Sequence, residues 1–169
     1  MKNATIKSKY EEQFQHLLHA DNISMESIIK SLDIESNRSA VFKAGESAGM
    51  SGSFFFFSHD NRFIIKTMNH DDKYKLEELL ESDYIQHLCT FPDSLLARIY
   101  GMFSLKLRGD LMKVNVIVME NTCFLKNKSM KSFAFDLKGS DVGRKVDLIN
   151  ENKQIEDKKF PQLMKDINF

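Results

Sequence analysis

The first third of the chain shows helical spacing of its apolar residues. Between residues 10 and 32 these residues recur every three or four positions, which predicts two short amphipathic helices. The apolar positions are Phe14, Leu17, Leu18, Met25, Ile28, Ile29 and Leu32. Asp21-Asn22 is expected to separate the helices, and Ser24 can cap the second one. Residues 1–9 are polar, and we expect them to form a flexible tail.

The pattern then changes to short apolar runs separated by turn residues. Residues 54–57 and 62–68 predict a hairpin with a polar tip at 59–61. Residues 96–105 and 114–119 predict a second hairpin. Sequential hairpins imply an antiparallel sheet.

Helical spacing returns between the two hairpins. Residues 71–87 predict one helix that ends at Phe91-Pro92-Asp93. Its apolar positions are Leu76, Leu79, Leu80, Tyr84 and Leu88. Short strands are also predicted at 41–42 and 133–137. Since the helices are too few to cover both faces of a sheet, we predict an α+β fold, with an antiparallel sheet packed against a few helices.

Composition excludes several classes of protein. The 169 residues, 42% of them apolar, are enough for a hydrophobic core. Lys plus Arg equals Asp plus Glu at 24 each, so we expect no binding to nucleic acid. No apolar stretch can span a bilayer and no hydrophobic signal segment follows Met1, so we expect a cytoplasmic location. Cys89 and Cys123 are expected to be small buried side chains in a reduced compartment.

A glycine-rich turn precedes the first hairpin. Gly49 and Gly52 permit close approach of the backbone to a ligand, and Ser51 and Ser53 add hydroxyl groups that can reach phosphate oxygens. Taken alone, such a stretch is more often an ordinary turn. The strand lysine one hairpin later favours a phosphate site instead.

That lysine is Lys66, which strand alternation places on the same face as Ile64. A charge beside an aliphatic side chain is costly unless it is paired, so a phosphate or a helix carboxylate is expected next to it. Asp72, Glu77 and Glu78 are the candidate carboxylates, and their spacing does not choose among them. The alternative is a solvated lysine on an edge strand.

Two later segments complete the candidate chemistry. Met119-Glu120-Asn121 ends a buried-type strand, where the backbone of a kinase-like lobe would hydrogen-bond adenine. Asp136 and Lys138 share one face of a short strand that leads into the turn Gly139-Ser140. Arg144 adds a guanidinium suited to phosphate or carboxylate. By composition alone, a strand with a solvated ion pair is the more common explanation of this last segment.

Three motifs together resemble a known family. Asp136-Leu137-Lys138-Gly139-Ser140 with Arg144 resembles a hallmark of the phosphatidylinositol phosphate kinases. Gly49-Met50-Ser51-Gly52-Ser53 resembles their ATP-phosphate loop, and Phe63-Ile64-Ile65-Lys66-Thr67 resembles their ATP-lysine strand. The motifs occur in the family's order, and the resemblance extends from about residue 14 to Phe169.

The resemblance implies a role for each motif. Gly49, Ser51, Gly52 and Ser53 would cover the ATP phosphates, and Lys66 would bind the α- and β-phosphates. Met119, Glu120 and Asn121 would lie at the adenine hinge, and Lys138, with Asp136 and Arg144, would belong to the floor of the site. The implied reaction transfers the ATP γ-phosphate, with Mg²⁺, to a phosphoinositide at the membrane surface. The expected substrate is phosphatidylinositol 4-phosphate and the product the 4,5-bisphosphate, which makes the chain a peripheral membrane enzyme.

The resemblance covers only part of the family's domain. The catalytic aspartate, the metal-binding aspartate and the activation loop follow this region in the family, so we expect no catalytic or metal-binding residue before Phe169. Residues 10–169 are therefore expected to be the amino-terminal lobe of a partial kinase domain, inactive in isolation. A non-catalytic interaction module derived from such a lobe, or a truncated fragment, is the alternative. A protein kinase lobe fits less well, because its loop usually has three glycines.

Overall fold

A five-stranded antiparallel sheet organises the larger part of the protein. The computed structural model describes residues 4–41, 53–107, 113–124, 135–145 and 164–166. The chain divides into two units, Met1–Phe124 and Leu125–Phe169. In the first unit the elements are β1 (Ala4–Lys9), α1 (Glu11–Ala20), α2 (Met25–Ser31), α3 (Ile34–Val41), β2 (Phe55–Phe57), β3 (Phe63–Met68), α4 (His70–Glu81), α5 (Tyr84–Thr90), β4 (Ile99–Leu107) and β5 (Lys113–Glu120).

The strands of the first unit lie in the order β1-β4-β5-β3-β2, and every neighbouring pair is antiparallel. Both predicted hairpins are present, although residues 108–112 between the strands of the second one lie outside the described residues. The second unit contains β6 (Phe135–Asp136) and β7 (Met164–Lys165), which pair in parallel. The predicted α+β fold, one antiparallel sheet with a few helices, is confirmed.

One row of paired residues crosses all five strands of the sheet. In strand order the row is Lys9, Met102, Ile117, Lys66 and Phe55. Residues paired directly across antiparallel strands point to the same face of a sheet. Lys66 therefore shares its face with Met102 and Ile117, both of which are buried in the core.

Helices α2, α3 and α4 begin at capping residues, and α1 and α4 pack against the sheet. The Ser24 hydroxyl accepts a hydrogen bond of 3.1 Å from the Ser27 N–H at the start of α2, as predicted. Helix α1 packs against α5 and β4, and α4 packs against α5 and β3. The core is one cluster: Phe14, Leu17, Leu18, Ile28, Phe63, Met68, Leu76, Leu80, Tyr84, Ile85, Leu88, Tyr100, Met102, Ile117 and Val118.

A mostly buried ion pair connects the turn after α1 to the start of β4. The Arg98 guanidinium donates to both Asp21 carboxylate oxygens, at 2.8 and 3.1 Å, and to the Pro92 carbonyl at 2.7 Å. The Tyr100 hydroxyl donates to the same Asp21 carboxylate at 3.0 Å. Because these groups satisfy one another away from water, the loss of one partner is expected to be costly.

Of the flexible tail expected at residues 1–9, the described part, residues 4–9, is a strand. Residues 4–9 form β1, which pairs along its whole length with β4. The Lys9 ammonium also donates to the Glu77 carboxylate of α4 at 2.6 Å. Backbone pairing with a distant strand orders this polar segment, so the prediction for it was wrong.

Two other elements differ from the prediction. Val41 is the last residue of α3 and not part of a strand, while Phe42 lies outside the described residues. Helix α3 starts because the Asp33 carboxylate accepts a 2.9 Å hydrogen bond from the Ser36 N–H. The helix predicted at 71–87 is two helices, since α4 ends at Glu81 and α5 begins at Tyr84.

The new start at α5 brings Tyr84, Ile85 and Leu88 into the core, whereas Leu79 of α4 is 50% exposed.

Cys89 and Cys123 are exposed, so the expectation that both are buried was wrong. In the part of the chain that the structure describes, no helix is both long and apolar enough to cross a membrane.

We predict that Arg98→Ala destabilises the protein by about 3 kcal/mol, because it leaves the Asp21 carboxylate buried without its cation. Urea denaturation followed by circular dichroism measures the free energy of unfolding. Lys75→Ala on the exposed side of α4 serves as the control and should change stability by less than about 0.5 kcal/mol. Equal effects of the two substitutions would contradict a structural role for the ion pair.

Candidate functional site

Phe54, which follows the glycine-rich turn, is hydrogen-bonded to strand β3. Gly49, Ser51 and Gly52 lie outside the described residues, and Ser53 is buried. The Phe54 N–H donates to the Thr67 hydroxyl at 2.8 Å, and the Thr67 N–H donates to the Phe54 carbonyl at 3.0 Å. Sequence reasoning missed this role of Thr67, although a hydroxyl in a strand beside a turn is a usable signal. The pairing extends the hairpin by one residue beyond the Phe55–Lys66 pair.

Lys66 is half-buried in β3, between the neighbouring strands β2 and β5. It is paired with Phe55, and its ammonium nitrogen lies 5.9 Å from the centre of the Phe55 ring, within the range of a cation–π contact. Among the described residues, no carboxylate forms an ion pair with Lys66. An edge-strand role is excluded because β3 has a partner strand on each side.

None of the three candidate carboxylates on α4 is paired with Lys66. Glu77 instead forms ion pairs with Lys9 at 2.6 Å and Lys73 at 3.3 Å. The hydrogen bond from Lys9 lowers the pKa of Glu77, burial opposes this shift, and Lys73 adds to it. Glu77 is therefore an ionised carboxylate that is already paired with two lysines. The Lys66 ammonium can consequently pair with a different anion.

The end of β5 carries the predicted hinge residues Met119, Glu120 and Asn121. The Glu120 N–H donates to the Arg98 carbonyl and the Asn121 N–H donates to the Arg62 carbonyl, both at 2.9 Å. These two N–H groups are thus bonded within the protein and are not available to an adenine ring in this structure.

The side chain of Asn121 has a structural contact of its own. Its amide nitrogen donates to the Asn61 carbonyl at 2.6 Å, and its amide oxygen accepts from the Cys123 N–H at 3.2 Å. The residue is buried, and it ties the end of β5 to the tip of the first hairpin.

The same hairpin tip is also tied to α2. The Asp60 carboxylate accepts hydrogen bonds from the Ser31 hydroxyl at 2.6 Å and the Ser58 hydroxyl at 2.7 Å. Burial opposes ionisation of Asp60, but these hydrogen bonds lower the pKa of its carboxyl. The hairpin that carries Lys66 is therefore anchored at its tip from two sides.

In the second unit, three predicted residues lie together. The Asp136 carboxylate forms ion pairs with Lys138 and with Arg144, each at 3.3 Å. Burial opposes ionisation of Asp136, but hydrogen bonds from both cations lower the pKa of its carboxyl. The Lys138 side chain is 61% exposed, whereas that of Arg144 is 11% exposed. Lys138 is consequently the cation of this group that a ligand can reach.

A fourth residue, Asp166, joins the group and was missed by sequence reasoning. One of its carboxylate oxygens accepts from the N–H groups of Lys138 at 2.8 Å, Gly139 at 2.7 Å and Ser140 at 3.4 Å. The other accepts from the Arg144 side chain at 2.7 Å. Asp166 is the single acid in residues 160–169, but a separation of over twenty residues gives no local pattern that links it to Lys138.

The first unit defines a class of protein. An antiparallel sheet with a lysine on an interior strand, one hairpin after a glycine-rich turn, is the arrangement of the ATP-binding lobe of a kinase. The sequence model of the family described as phosphatidylinositol-4-phosphate 5-kinase matches residues 36–169. The chain belongs to this family.

Individual relatives agree with the family match. A phosphatidylinositol 4-phosphate 5-kinase of Schizosaccharomyces pombe is 42% identical over 102 residues, which is 60% of this chain and 13% of the relative. A probable phosphatidylinositol phosphate kinase of Dictyostelium discoideum is 37% identical over 137 residues, 76% of this chain and 18% of the relative. The mouse phosphatidylinositol 4-phosphate 5-kinase-like protein 1 is 32% identical over 123 residues, 73% of this chain and 29% of the relative. The chain thus spans less than a third of each of these proteins.

Glu120 gives a test of the electrostatics at the end of β5. Burial raises the pKa of its carboxyl above the ordinary value of 4.5; Arg98 opposes this shift and the Asp21 carboxylate adds to it. A raised folded-state pKa means that the stability from Glu120 is fully present below the unfolded-state pKa. That stability is lost as the pH rises through the folded-state pKa. The ionised carboxylate is therefore unfavourable at neutral pH.

We predict that Glu120→Gln raises the midpoint of thermal unfolding at pH 7 and that the gain becomes smaller below pH 4.5. Differential scanning calorimetry at several pH values measures both effects. Glu12→Gln on the exposed side of α1 is the matched control, and it should show no such pH-dependent gain. A Glu120→Gln variant that is less stable at pH 7 would contradict this account.

Proposed function

We propose that this chain forms the ATP-binding lobe of a lipid kinase that phosphorylates a phosphoinositide headgroup. Residues 10–169 would be part of the kinase domain. The observation that carries the proposal is the position of Lys66 within a chain that belongs to the family. Lys66 is half-buried on an interior strand, aligned with the exit of the glycine-rich turn, and has no carboxylate partner among the described residues.

In this proposal Lys66 neutralises the charge of the ATP α- and β-phosphates as a point charge. Gly49, Ser51, Gly52 and Ser53 would cover the phosphates, and Met119, Glu120 and Asn121 would border the adenine. Because the N–H groups of Glu120 and Asn121 are already bonded, adenine would use other groups of this segment. Lys138 would supply a second cation for the nucleotide, with Asp136 and Arg144 beside it.

The proposed reaction is transfer of the γ-phosphoryl group to a hydroxyl of the inositol ring. The bond between the γ-phosphorus and the bridging oxygen breaks, a bond to the hydroxyl oxygen forms, and ADP leaves. Protein groups contribute to such a transfer mainly by positioning and by stabilising charge. We propose phosphatidylinositol 4-phosphate as the substrate because the Schizosaccharomyces relative is named as a kinase of that lipid. Action on a lipid also implies contact with a membrane surface.

Mg²⁺ belongs to the proposal only as a companion of ATP. In the described ranges there is no group of three His, Cys, Asp or Glu side chains that could hold a metal ion. The carboxylates of Asp136 and Asp166 are bonded to cations and N–H groups of the protein, so they do not form a free metal site. We therefore assign no step of the reaction to a metal held by the described residues.

Mg-ATP should stabilise the chain against heat. At a concentration one hundred times Kd, ligand binding adds about 2.7 kcal/mol, which corresponds to a rise in Tm of roughly 5–10 °C for a protein of this size. Lys66→Met should lose most of this rise because it removes the charge on the phosphates. Differential scanning fluorimetry with and without Mg-ATP measures the effect.

Lys75→Met on the exposed side of α4 is the control, because it removes a positive charge without touching β3. It should keep the full Mg-ATP effect. If Lys66→Met also keeps it, Lys66 does not bind phosphate. If the unmodified chain shows no rise at all, the proposal of an ATP-binding lobe is contradicted.

A further inference from the structure

Asp166 occupies the concave side of the backbone turn at Lys138-Gly139-Ser140. Three consecutive N–H groups of the turn converge on one oxygen of its carboxylate, an arrangement that binds anions in many proteins. Gly139 makes this possible because its φ is +66°, in the left-handed region that other residues rarely adopt. The turn therefore takes its shape around the Asp166 side chain.

The second oxygen of Asp166 fixes Arg144. The Arg144 side chain donates to it at 2.7 Å and also bonds the carbonyl and the carboxylate of Asp136. The hydrogen bond from Arg144 holds the pKa of Asp166 well below its ordinary value; burial opposes the shift, and the N–H groups of the turn add to it. The result is a row of four side chains with alternating charges: Asp166, Arg144, Asp136 and Lys138.

The charged side chains at the two ends of this row differ in their exposure to solvent. The side chains of Arg144 and Asp166 are 11% and 16% exposed, so their charges are satisfied within the protein. Lys138 lies at the other end, with its backbone held by Asp166 and its ammonium 3.3 Å from Asp136. Its side chain is 61% exposed and can contact a ligand.

We propose that Asp166 is a positioning residue for Lys138. It holds the 138–140 backbone and the Arg144 side chain, so that the Lys138 ammonium is presented in one orientation to a nucleotide phosphate. This inference rests on the proposed function, in which Lys138 binds ATP. Arg144 contributes to the same positioning, because its side chain bonds both Asp166 and Asp136.

A double-mutant cycle tests the inference in the 169-residue chain. Isothermal titration calorimetry measures Kd for Mg-ATP in the unmodified chain, Lys138→Met, Asp166→Asn and the double variant. We expect about a tenfold weaker Kd in Lys138→Met and a similar loss in Asp166→Asn, with no further loss in the double variant, because residues that act as one unit are not additive. Asp141→Asn, an exposed acid in the same loop, is the control and should bind Mg-ATP normally.

Gly139→Ala provides a second route to the same result. A Cβ at Gly139 meets no atom within 4 Å, so the substitution strains only the left-handed backbone of the turn. It should weaken Mg-ATP binding as Asp166→Asn does and add no loss to Lys138→Met. A purely structural role would lower stability in both variants but leave Kd unchanged, and that outcome would overturn the inference. Full additivity with Lys138→Met would also overturn it.

Amide hydrogen exchange separates this inference from the proposed function. In the unmodified chain the Lys138 and Gly139 amides should exchange slowly, and Asp166→Asn should speed them about tenfold or more, because it removes the charged acceptor. If the unmodified chain does not bind Mg-ATP, the proposed function fails, while the exchange rates still decide whether Asp166 holds the turn. Unchanged exchange rates would overturn the role of Asp166 itself.

Discussion

The antiparallel pairing of β3 with β2 on one side and β5 on the other is the constraint on which the first unit depends. It fixes Lys66 opposite Ile117 and Phe55, on the face that carries buried core residues. A slip of one residue would move Lys66 and Phe63 each to the opposite face of the sheet. The hydrogen bonds of Asp60 and Asn121 at the hairpin tip hold this register, and those of Thr67 extend it toward the glycine-rich turn.

The charged residues divide into two kinds. Arg98 and Arg144 are mostly buried, and each is bonded to carboxylate and carbonyl groups that fix its position. Lys138 is exposed and its backbone N–H is bonded to Asp166, while Lys66 is half-buried beside the hydrogen-bonded pair Phe54 and Thr67. Buried pairs of this kind contribute to the positioning of other groups more than to net stability. Under the proposed function, each of these two lysines has a charge that a phosphate group can pair.

Much of the first unit could be predicted from sequence because its signals are local. The hairpin of β2 and β3 follows from two short apolar runs around a polar tip, and the start of α2 follows from Ser24. Strand β1 could not be predicted, because its order comes from pairing with β4, almost a hundred residues later. Asp166 was missed for the same reason, since its partners at 138–144 are distant in sequence. The bonded N–H groups at the end of β5 likewise depend on how the strands pair.

The most direct test of the central claim is chemical labelling with an acyl phosphate derivative of ATP, which transfers its acyl group to a lysine amine beside the phosphates. Mass spectrometry of the digested protein would locate the modified lysines, and competition with Mg-ATP would show which labels depend on the nucleotide site. We predict labelling of Lys66, with this label suppressed by Mg-ATP. Labels spread over exposed lysines such as Lys75, without suppression by Mg-ATP, would contradict the claim that this lobe binds ATP through Lys66.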